Sequence, residues 1–251
     1  MIIRMALVIL VACTNPQATE PIAETSPLST VTKTLVDTNY ISYTVHPDSQ
    51  IIRMYWQGAN DEPMRHFKAL HGHVMKFQQN LVFAMNGGMY ESDYTPVGLY
   101  IEHGKELHPI DTSEGEGNFY LLPNGVFSID TLGRGGVTET SSFSGGPRVA
   151  YATQSGPMLL IDGKIHSAFR QNSTNFNVRN GVGVLPDGKV HLAMSKQPVN
   201  FYAFASYFQA LGCKQALYLD GLVSRVYDSR TKELGTDGRF GVMIGVSEAW
   251  D

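Results

Sequence analysis

Most apolar residues of this chain lie in short runs or alternate with polar residues, a pattern that is typical of β-strands. Residues 40–45 alternate with a period of two, and residues 81–85 form a continuous apolar run of the kind found in buried strands. Turn-forming pairs such as His103-Gly104 and Asp162-Gly163 separate neighbouring runs. The pattern therefore predicts many strands, most of them joined by hairpins.

Two segments carry apolar residues at helical spacing instead. We expect the first helix to begin after Asp61, which would cap it, with Pro63 in its first turn. The second is expected to begin after Asn200 and to end at Gly212. The two apolar faces comprise Met64, Phe67, Leu70, Val74 and Phe77 in the first helix, and Phe201, Phe204, Ala205, Phe208 and Leu211 in the second. Hairpin-linked strands with about two principal helices indicate an α+β fold.

Composition narrows the class of protein. The 251 residues are 43% apolar and 17% charged, which suits one globular domain with a full core. The formal net charge of −4 offers no basic surface for nucleic acid. The two cysteines, Cys13 and Cys213, are too few for a disulfide framework, and Cys213 is expected to be a buried, unreactive thiol.

Residues 1–13 have the features of an export signal, with Arg4 ahead of a short apolar stretch. The sequence Leu-Val-Ala-Cys ending at Cys13 resembles the lipobox of bacterial lipoproteins, which implies cleavage before Cys13 and a lipid anchor in a membrane. Thr14 stands where an inner-membrane retention Asp would be, so we expect an outer-membrane lipoprotein facing the periplasm. The alternatives are an ordinary signal peptide or a wrongly assigned start. Residues 14–35 are rich in Thr, Ser and Pro, which indicates a flexible tether before a folded domain at 36–251.

The stretch ALYLDGLVSRVY (216–227) carries the strongest chemical signal. A buried strand is followed by Asp220, and Gly221 would allow a sharp turn that holds this carboxylate at the rim of a sheet. Ser224 and Arg225 then bring a hydroxyl and a cation to the same strand end. The alternative is a hairpin in which Asp220 merely caps its own turn.

Three further stretches have a similar form, with polar residues directly beside an apolar run. FAMNGGMY (83–90) contains Asn86 and Gly87, TQSGPMLLIDG (153–163) contains Ser155, and VRNGVGV (178–184) contains Arg179 and Asn180. Glycines after Asn86 would let backbone amides face a ligand. The alternative there is a hairpin turn, which also favours Asn-Gly.

The order and spacing of these four stretches resemble the phosphodiester glycosidase family over about residues 36–247. The resemblance implies an α+β fold with a mixed, curved sheet. It also implies hydrolysis of a sugar-1-phosphodiester, which releases the sugar and leaves a phosphomonoester. The chain departs from the family pattern at Leu222, where a second Gly is common, and at Met89, where an aromatic is common. These differences bear on substrate choice more than on the chemistry.

The resemblance also assigns roles to residues. Asp220 would be the catalytic carboxylate, as a base for water or as the nucleophile, and Arg179 would clamp phosphate oxygens. The expected catalytic residues are Asp220, Arg179 and Asn86, and the expected substrate-binding residues are Gly87, Ser155, Asn180 and Ser224. Glu91 and Asp93 are candidates for a second carboxylate. A structural salt bridge for Arg179 and turn hydrogen bonds for Ser155 and Ser224 are the alternatives.

The expected partner is thus a phosphate-linked glycan, with a membrane at the lipid anchor and no nucleic acid. Two other functions fit the same residues: a non-catalytic glycan-binding envelope lipoprotein and a metal-dependent phosphodiesterase. Two-metal sites need clustered His and carboxylates, whereas the eight His here lie outside the four stretches. We expect no cofactor and no dedicated metal site, although a Ca²⁺ ion bridging phosphate and Asp220 is conceivable.

Overall fold

The computed structural model describes residues 38–58, 61–231 and 238–250. These contain two α-helices and fifteen β-strands. In chain order they are β1 (Tyr40–Thr44), β2 (Ile51–Tyr55), α1 (Phe67–Met75), β3 (Gln79–Asn86), β4 (Tyr100–Glu102), β5 (Lys105–His108), β6 (Gly125–Asp130), β7 (Gly135–Glu139), β8 (Val149–Ser155), β9 (Met158–Ile161), β10 (Lys164–Ile165), β11 (Asn180–Val184), β12 (Val190–Ser195), α2 (Phe201–Ala210), β13 (Ala216–Tyr218), β14 (Val226–Asp228) and β15 (Met243–Ala249).

The strands form three sheets. Their strand orders are β1-β12-β11-β13-β9-β10, β14-β3-β15-β2 and β5-β4-β8-β6-β7. Every pairing among the named strands is antiparallel, and four of the pairs are hairpins of consecutive strands. The α+β class, the hairpins and the two helices expected from the sequence are confirmed, with the strands divided among three sheets.

The three sheets enclose the largest hydrophobic cluster of the domain. Phe83 of β3, Phe127 of β6 and Leu217 of β13 all belong to it, and all three are fully buried. Complete burial of such a side chain stabilises a fold by roughly 1.5–3 kcal/mol. Because each sheet contributes side chains to one core, packing of these side chains holds the three sheets together.

Helix α2 covers the outer face of the six-stranded sheet. It begins as predicted, because the Asn200 side chain accepts a hydrogen bond from the backbone N–H of Ala203 at 2.9 Å. Phe204 and Phe208 pack on the sheet together with Tyr218. Because side chains alternate along β13, Tyr218 points towards α2, and the residues on either side of it in the chain point towards the central core.

Helix α1 covers the four-stranded sheet, but it begins later than predicted. His66 is its N-cap, and the Nδ1 atom of His66 accepts from the backbone N–H of Ala69 at 3.2 Å. The prediction that Asp61 caps this helix is wrong, because the backbone before His66 is used elsewhere. Pro63 forms a bridge to Gln57, and Arg65 forms one to Phe240.

Of the helices that the structure describes, none is long and apolar enough to cross a membrane. The predicted signal segment, Cys13 and the whole tether lie outside the described residues. The boundary placed at residue 36 stays a prediction.

The segment that carries Asp220 is a crossover between two sheets and not a hairpin. Strand β13 pairs inside the six-stranded sheet, whereas β14 pairs with β3 in the four-stranded sheet. The loop from Leu219 to Arg225 joins them. This crossover is where the polar residues singled out in the sequence come together.

Candidate functional site

The backbone around Asp220 is fixed by side chains from strand ends in different sheets. Ser155, the last residue of β8, donates its hydroxyl to the Leu219 carbonyl at 3.0 Å. Asn86, the last residue of β3, donates its side-chain N–H to the Asp220 carbonyl at 2.7 Å. Two consecutive carbonyls are therefore tied to two sheets, which sets the direction of the carboxylate between them.

Asn86 also links the two sides of the crossover. Its side-chain oxygen accepts from the backbone N–H of Arg225 at 3.0 Å, and its own carbonyl accepts from the Asn180 side chain at 2.8 Å. The Asn180 carbonyl in turn accepts from the Leu219 N–H at 3.1 Å. One carboxamide thus uses both of its ends to hold the backbone of Asp220 and that of Arg225 in a fixed relation.

Ser224 closes the turn after Asp220. Its hydroxyl lies 3.2 Å from the Asp220 carbonyl oxygen and 3.1 Å from that of Gly221, and the side chain is buried. The backbone N–H of Leu222 lies 3.3 Å from one oxygen of the Asp220 carboxylate. Ser224 therefore makes turn hydrogen bonds, the alternative that the sequence left open, and Asp220 also caps its own turn.

Gly221 is required for space and not for an unusual backbone angle. It has no left-handed φ, contrary to the sequence argument for a sharp turn. A Cβ atom at this position would collide with the hydroxyl of Tyr218 and would lie 3.0 Å from the Val178 carbonyl. Glycine thus allows the Asp220 loop to rest against the Tyr218 hydroxyl.

Arg179 is fully buried beside this loop. Its Nε donates to the Val199 carbonyl at 2.9 Å, one terminal nitrogen donates to the Asn175 carbonyl at 2.9 Å, and the guanidinium lies 3.6 Å from the centroid of the Phe201 ring. No carboxylate among the described residues forms an ion pair with it. The structural salt bridge considered from the sequence is therefore not found within the described residues, and the charge is balanced by carbonyl dipoles and an aromatic face.

Tyr218 connects Arg179 to Asp220, a role that the sequence argument missed. Burial raises the pKa of Tyr218, the Arg179 guanidinium lowers it, and the Asp220 carboxylate raises it again. The Gly221 backbone N–H acts on the same hydroxyl. The sequence did contain a signal for this role. Side chains alternate along a strand, so Tyr218 and Asp220, which are two residues apart at the end of one strand, are expected on the same face.

Asp220 has the electrostatic properties of a reactive carboxylate. Most of its surface is buried, and this desolvation raises the pKa of Asp220 to about 6. The Tyr90 hydroxyl lies close enough that burial and the Asp220 charge together raise the pKa of Tyr90 to about 12. At neutral pH the carboxylate is therefore mostly ionised and the phenol remains a hydrogen-bond donor.

An open cleft of about 380 Å³ lies next to the Asp220 loop, although Asp220 itself does not line it. It begins at Leu222, two residues beyond Asp220, and Tyr90 lines it. Among the residues predicted from sequence, Asp220 keeps partial exposure, whereas Asn86, Ser155, Arg179, Asn180 and Ser224 are at most 2% exposed. The predicted residues converge on one place, where most of them support the acid from inside the fold.

The predicted substrate contacts of the buried residues stay predictions. The Gly87 amide donates to the Val242 carbonyl at 2.8 Å, so this amide is used within the fold. Arg179 keeps its Nη1 atom buried without a hydrogen-bond partner. The Tyr218 hydroxyl interacts with the same guanidinium, and the predicted phosphate contact of Arg179 stays a prediction.

The candidate second carboxylates lie on the loop after Tyr90. Asp93 is exposed, and its side chain accepts from the Thr95 N–H at 3.0 Å, which lowers the pKa of Asp93. Glu91 is also exposed. Within the described ranges, no group of three or more His, Cys, Asp or Glu side chains could hold a metal ion.

Residues 79–236 match the family described as phosphodiester glycosidase. The chain is also 39% identical over 187 residues to YigE of Escherichia coli (strain K12), which is described as uncharacterized. That similarity covers 74% of this chain and 73% of YigE. The family match spans the four stretches that surround Asp220.

Solved structures share the fold at low sequence identity. The zebrafish N-acetylglucosamine-1-phosphodiester alpha-N-acetylglucosaminidase catalytic domain, auto-inhibited by its pro-peptide, superposes with a TM-score of 0.58 and 16% identity, over 82% of this chain and 75% of that one. A hypothetical protein from Synechocystis superposes with a TM-score of 0.51 and 14% identity, over 83% and 59% of the respective chains.

Proposed function

This chain belongs to the phosphodiester glycosidase family, and we propose that it hydrolyses a sugar-1-phosphodiester in an envelope glycan or glycoconjugate, releasing the sugar. The observation that carries the proposal is the Asp220 carboxylate, which is partly exposed beside a cleft and has a pKa raised to about 6. Groups with such shifts are concentrated at functional sites.

One carboxylate suits this reaction. Glycosidases usually employ two, one of which protonates the leaving oxygen. A phosphomonoester leaves as a weakly basic anion, so little protonation is needed. Asp220 would act at the anomeric carbon, either as a base for water or as the nucleophile, and the cleft beyond Leu222 would receive the departing phosphate.

The bonds and protons of the reaction balance without a cofactor. The bond between the anomeric carbon and the phosphate-bearing oxygen breaks, and that oxygen leaves with both electrons as part of the phosphomonoester. Water supplies the new hydroxyl on the sugar, and its other proton passes through Asp220 to solvent. An oxygen atom of water therefore enters the sugar and not the phosphate.

The buried residues would act by positioning Asp220. Asn86 and Ser155 hold the carbonyls on either side of its Cα atom, as their 2.7 and 3.0 Å hydrogen bonds indicate. Arg179 and Tyr218 place a positive charge and a hydroxyl on one side of the loop. Fixed donors of this kind stabilise developing charge because they need not reorient during the reaction.

The proposed place of action is the cell envelope, on account of the sequence of residues 1–13. A lipid on Cys13 would tether the enzyme to a membrane through residues 14–35, within reach of phosphate-linked glycans. Detection of acylated Cys13 by mass spectrometry of the membrane fraction would support this location, and an unmodified, soluble full-length chain would contradict it.

The test is hydrolysis by the full chain of hexose and N-acetylhexosamine 1-phosphate methyl esters in ¹⁸O-water. We expect free sugar and unlabelled methyl phosphate, with activity lost in Asp220→Asn. Asp48→Asn, which makes the same change of charge on an exposed turn, is the matched control and should retain wild-type activity.

Three outcomes would contradict the proposal. ¹⁸O in the phosphate would indicate cleavage of the P–O bond, as in a phosphodiesterase. Binding of the esters without turnover would favour a glycan-binding lipoprotein. Full activity of Asp220→Asn would show that another group carries the chemistry.

A further inference from the structure

The cleft beside Asp220 carries more positive charge than a single phosphodiester needs. Arg225 and Arg239 line it, and no Asp or Glu does so among the described residues. The ion pairs within the described ranges are Arg134–Asp130, Lys189–Asp187 and Arg230–Asp228, all elsewhere. Neither arginine has a carboxylate partner in the described part of the chain, and one terminal nitrogen of Arg225 donates to the Ser224 carbonyl at 2.8 Å.

The arginines are held in place by the framework that holds the acid. The Arg225 backbone N–H donates to the Asn86 side chain, which also binds the Asp220 carbonyl. The Tyr90 hydroxyl donates to the Arg239 carbonyl at 2.5 Å. The backbone of both arginines is therefore tied to residues around the Asp220 loop, and their exposed side chains extend from these fixed points.

The walls of the cleft add neutral donors and rigid aromatic surface. The rings of Tyr90 and Tyr94 stack at 5.7 Å between centroids, and Arg65, which does not line the cleft, lies over the Tyr94 ring at 4.7 Å. Ser92 adds a hydroxyl to the lining. The volume of about 380 Å³ is within the range of small-molecule sites, and one phosphate group would leave part of it unfilled.

We infer, on the basis of the proposed function, that this cleft binds a substituted diphosphate, so that the preferred substrate is a sugar joined through its anomeric carbon to a diphosphate. A phosphodiester has one negative charge, whereas a doubly substituted diphosphate has two, which matches the two guanidinium groups. Arg forms bidentate hydrogen bonds with phosphate oxygens, so each cation can bind one phosphate group.

The chemistry at the anomeric carbon is unchanged by this extension. The bond between that carbon and its oxygen breaks, water supplies the sugar hydroxyl, and a diphosphate monoester leaves with the electron pair. The substituent beyond the second phosphate would be a nucleoside or a lipid alcohol. The diphosphate is common to both sources, and it is the group that the arginines would recognise.

The first experiment measures binding of inorganic pyrophosphate and inorganic phosphate to the full chain by calorimetry. We expect pyrophosphate to bind at least about tenfold more tightly than phosphate. Arg225→Gln and Arg239→Gln should each remove most of that difference. Arg148→Gln, which removes an exposed cation outside the cleft, should leave it unchanged.

Equal binding of the two anions, or wild-type pyrophosphate binding by both cleft variants, would overturn the inference. Uridine diphosphate and geranyl diphosphate distinguish a nucleoside from a lipid alcohol as the substituent. The compound that binds more tightly than pyrophosphate identifies which of the two it is. Equal binding of both would indicate recognition of the diphosphate alone, which also supports the inference.

The second experiment separates this inference from the proposed function. Two substrates with the same sugar and the same alcohol are compared, one joined by a single phosphate and one by a diphosphate. The inference is supported if the diphosphate-linked substrate has the higher kcat/KM and if that kcat/KM falls about tenfold in Arg239→Gln. Equal kcat/KM values refute the inference but leave the proposed function standing, whereas hydrolysis of neither substrate refutes the proposed function.

Discussion

Asn86 and Asp220 are 134 residues apart along the chain, yet a 2.7 Å hydrogen bond joins the Asn86 side chain to the Asp220 carbonyl. The other end of the same carboxamide accepts from the Arg225 N–H. Because Asn86 is at most 1% exposed, water cannot readily replace either bond. The position of the reactive acid therefore depends on a residue that has no carboxylate and lies on a different sheet.

Replacing Asn86 should uncouple the acid from the fold. Asn86→Ala leaves the Asp220 carbonyl and the Arg225 N–H without their partner, which should cost roughly 2–3 kcal/mol of unfolding free energy. Lower stability reduces activity only by reducing the folded fraction. We expect kcat to fall by more than that, because Asn86 no longer holds the Asp220 backbone in place. Urea denaturation and initial rates at a temperature where the variant is folded are the measurements.

Asn80→Ala, an exposed change in the same strand, is the control for this prediction. Asn86→Asp is informative as well, because it keeps the oxygen for Arg225 but removes the donor for Asp220. An Asn86→Ala variant with wild-type kcat would show that the carboxamide does not position the acid.

Gly221→Ala should move the Asp220 loop away from Tyr218. The new methyl group would collide with the buried Tyr218 hydroxyl, and such overpacking costs about 1–3 kcal/mol. The double variant Gly221→Ala/Tyr218→Phe removes the colliding oxygen and should regain part of that stability, so the two changes should be non-additive. Strict additivity in thermal denaturation would contradict the contact.

The raised pKa of Asp220 predicts opposite effects of pH on activity and stability. Activity should rise as the pH increases through about 6, because the reactive form is the carboxylate. The folded state favours the protonated acid, so its contribution to stability is complete below the ordinary aspartate pKa and is lost as the pH rises through about 6. Across that window, Asp220→Asn should gain stability relative to wild type by up to roughly 3 kcal/mol.

Glu102 must be separated from this effect. Burial raises the pKa of Glu102 to about 7, and its side chain accepts from the Tyr100 hydroxyl at 2.8 Å. Its contribution to stability therefore falls over an overlapping range of pH. Glu102→Gln should remove that part without shifting the pH dependence of activity, whereas a shift in the activity profile would link Glu102 to the site.

Arg179→Lys should destabilise the domain although it keeps the charge. A lysine ammonium cannot reproduce the flat contact with Phe201 or reach both the Val199 and Asn175 carbonyls. A buried cation that loses its partners typically costs about 3 kcal/mol or more. Chemical denaturation measures this, with the exposed Arg148→Lys as control, and a loss within 0.5 kcal/mol of that control would contradict it.

The sequence predicted those features that depend on local chemistry. The Asn200 cap and the apolar spacing of α2 were sufficient to place that helix. Asp61 and Pro63 imitate a helix start equally well, but bridges to distant strands, which no local pattern encodes, take up that backbone. The α+β class and the hairpins likewise followed from periodicity and turn residues.

The candidate site was predictable in its members and not in their roles. Asp220 and Asn86 were identified by their position at strand ends and Ser155 through the family resemblance, and the three do meet. Burial could not be predicted for Arg179, because a cation is accepted in the interior only through the Phe201 face and carbonyls supplied by the fold. Tyr218 was overlooked because an aromatic residue in an apolar strand is usually part of the core.

The hydrogen bonds from Ser155 and Asn86 to consecutive carbonyls have a thermodynamic consequence. Opening of either contributing sheet would release the Asp220 loop, so the loop has little means of unfolding by itself. Loss of catalytic competence and loss of tertiary structure should then coincide on one denaturant curve. The amide protons of this crossover should exchange with solvent as slowly as those of the core strands, which is unusual for a loop that carries a reactive group.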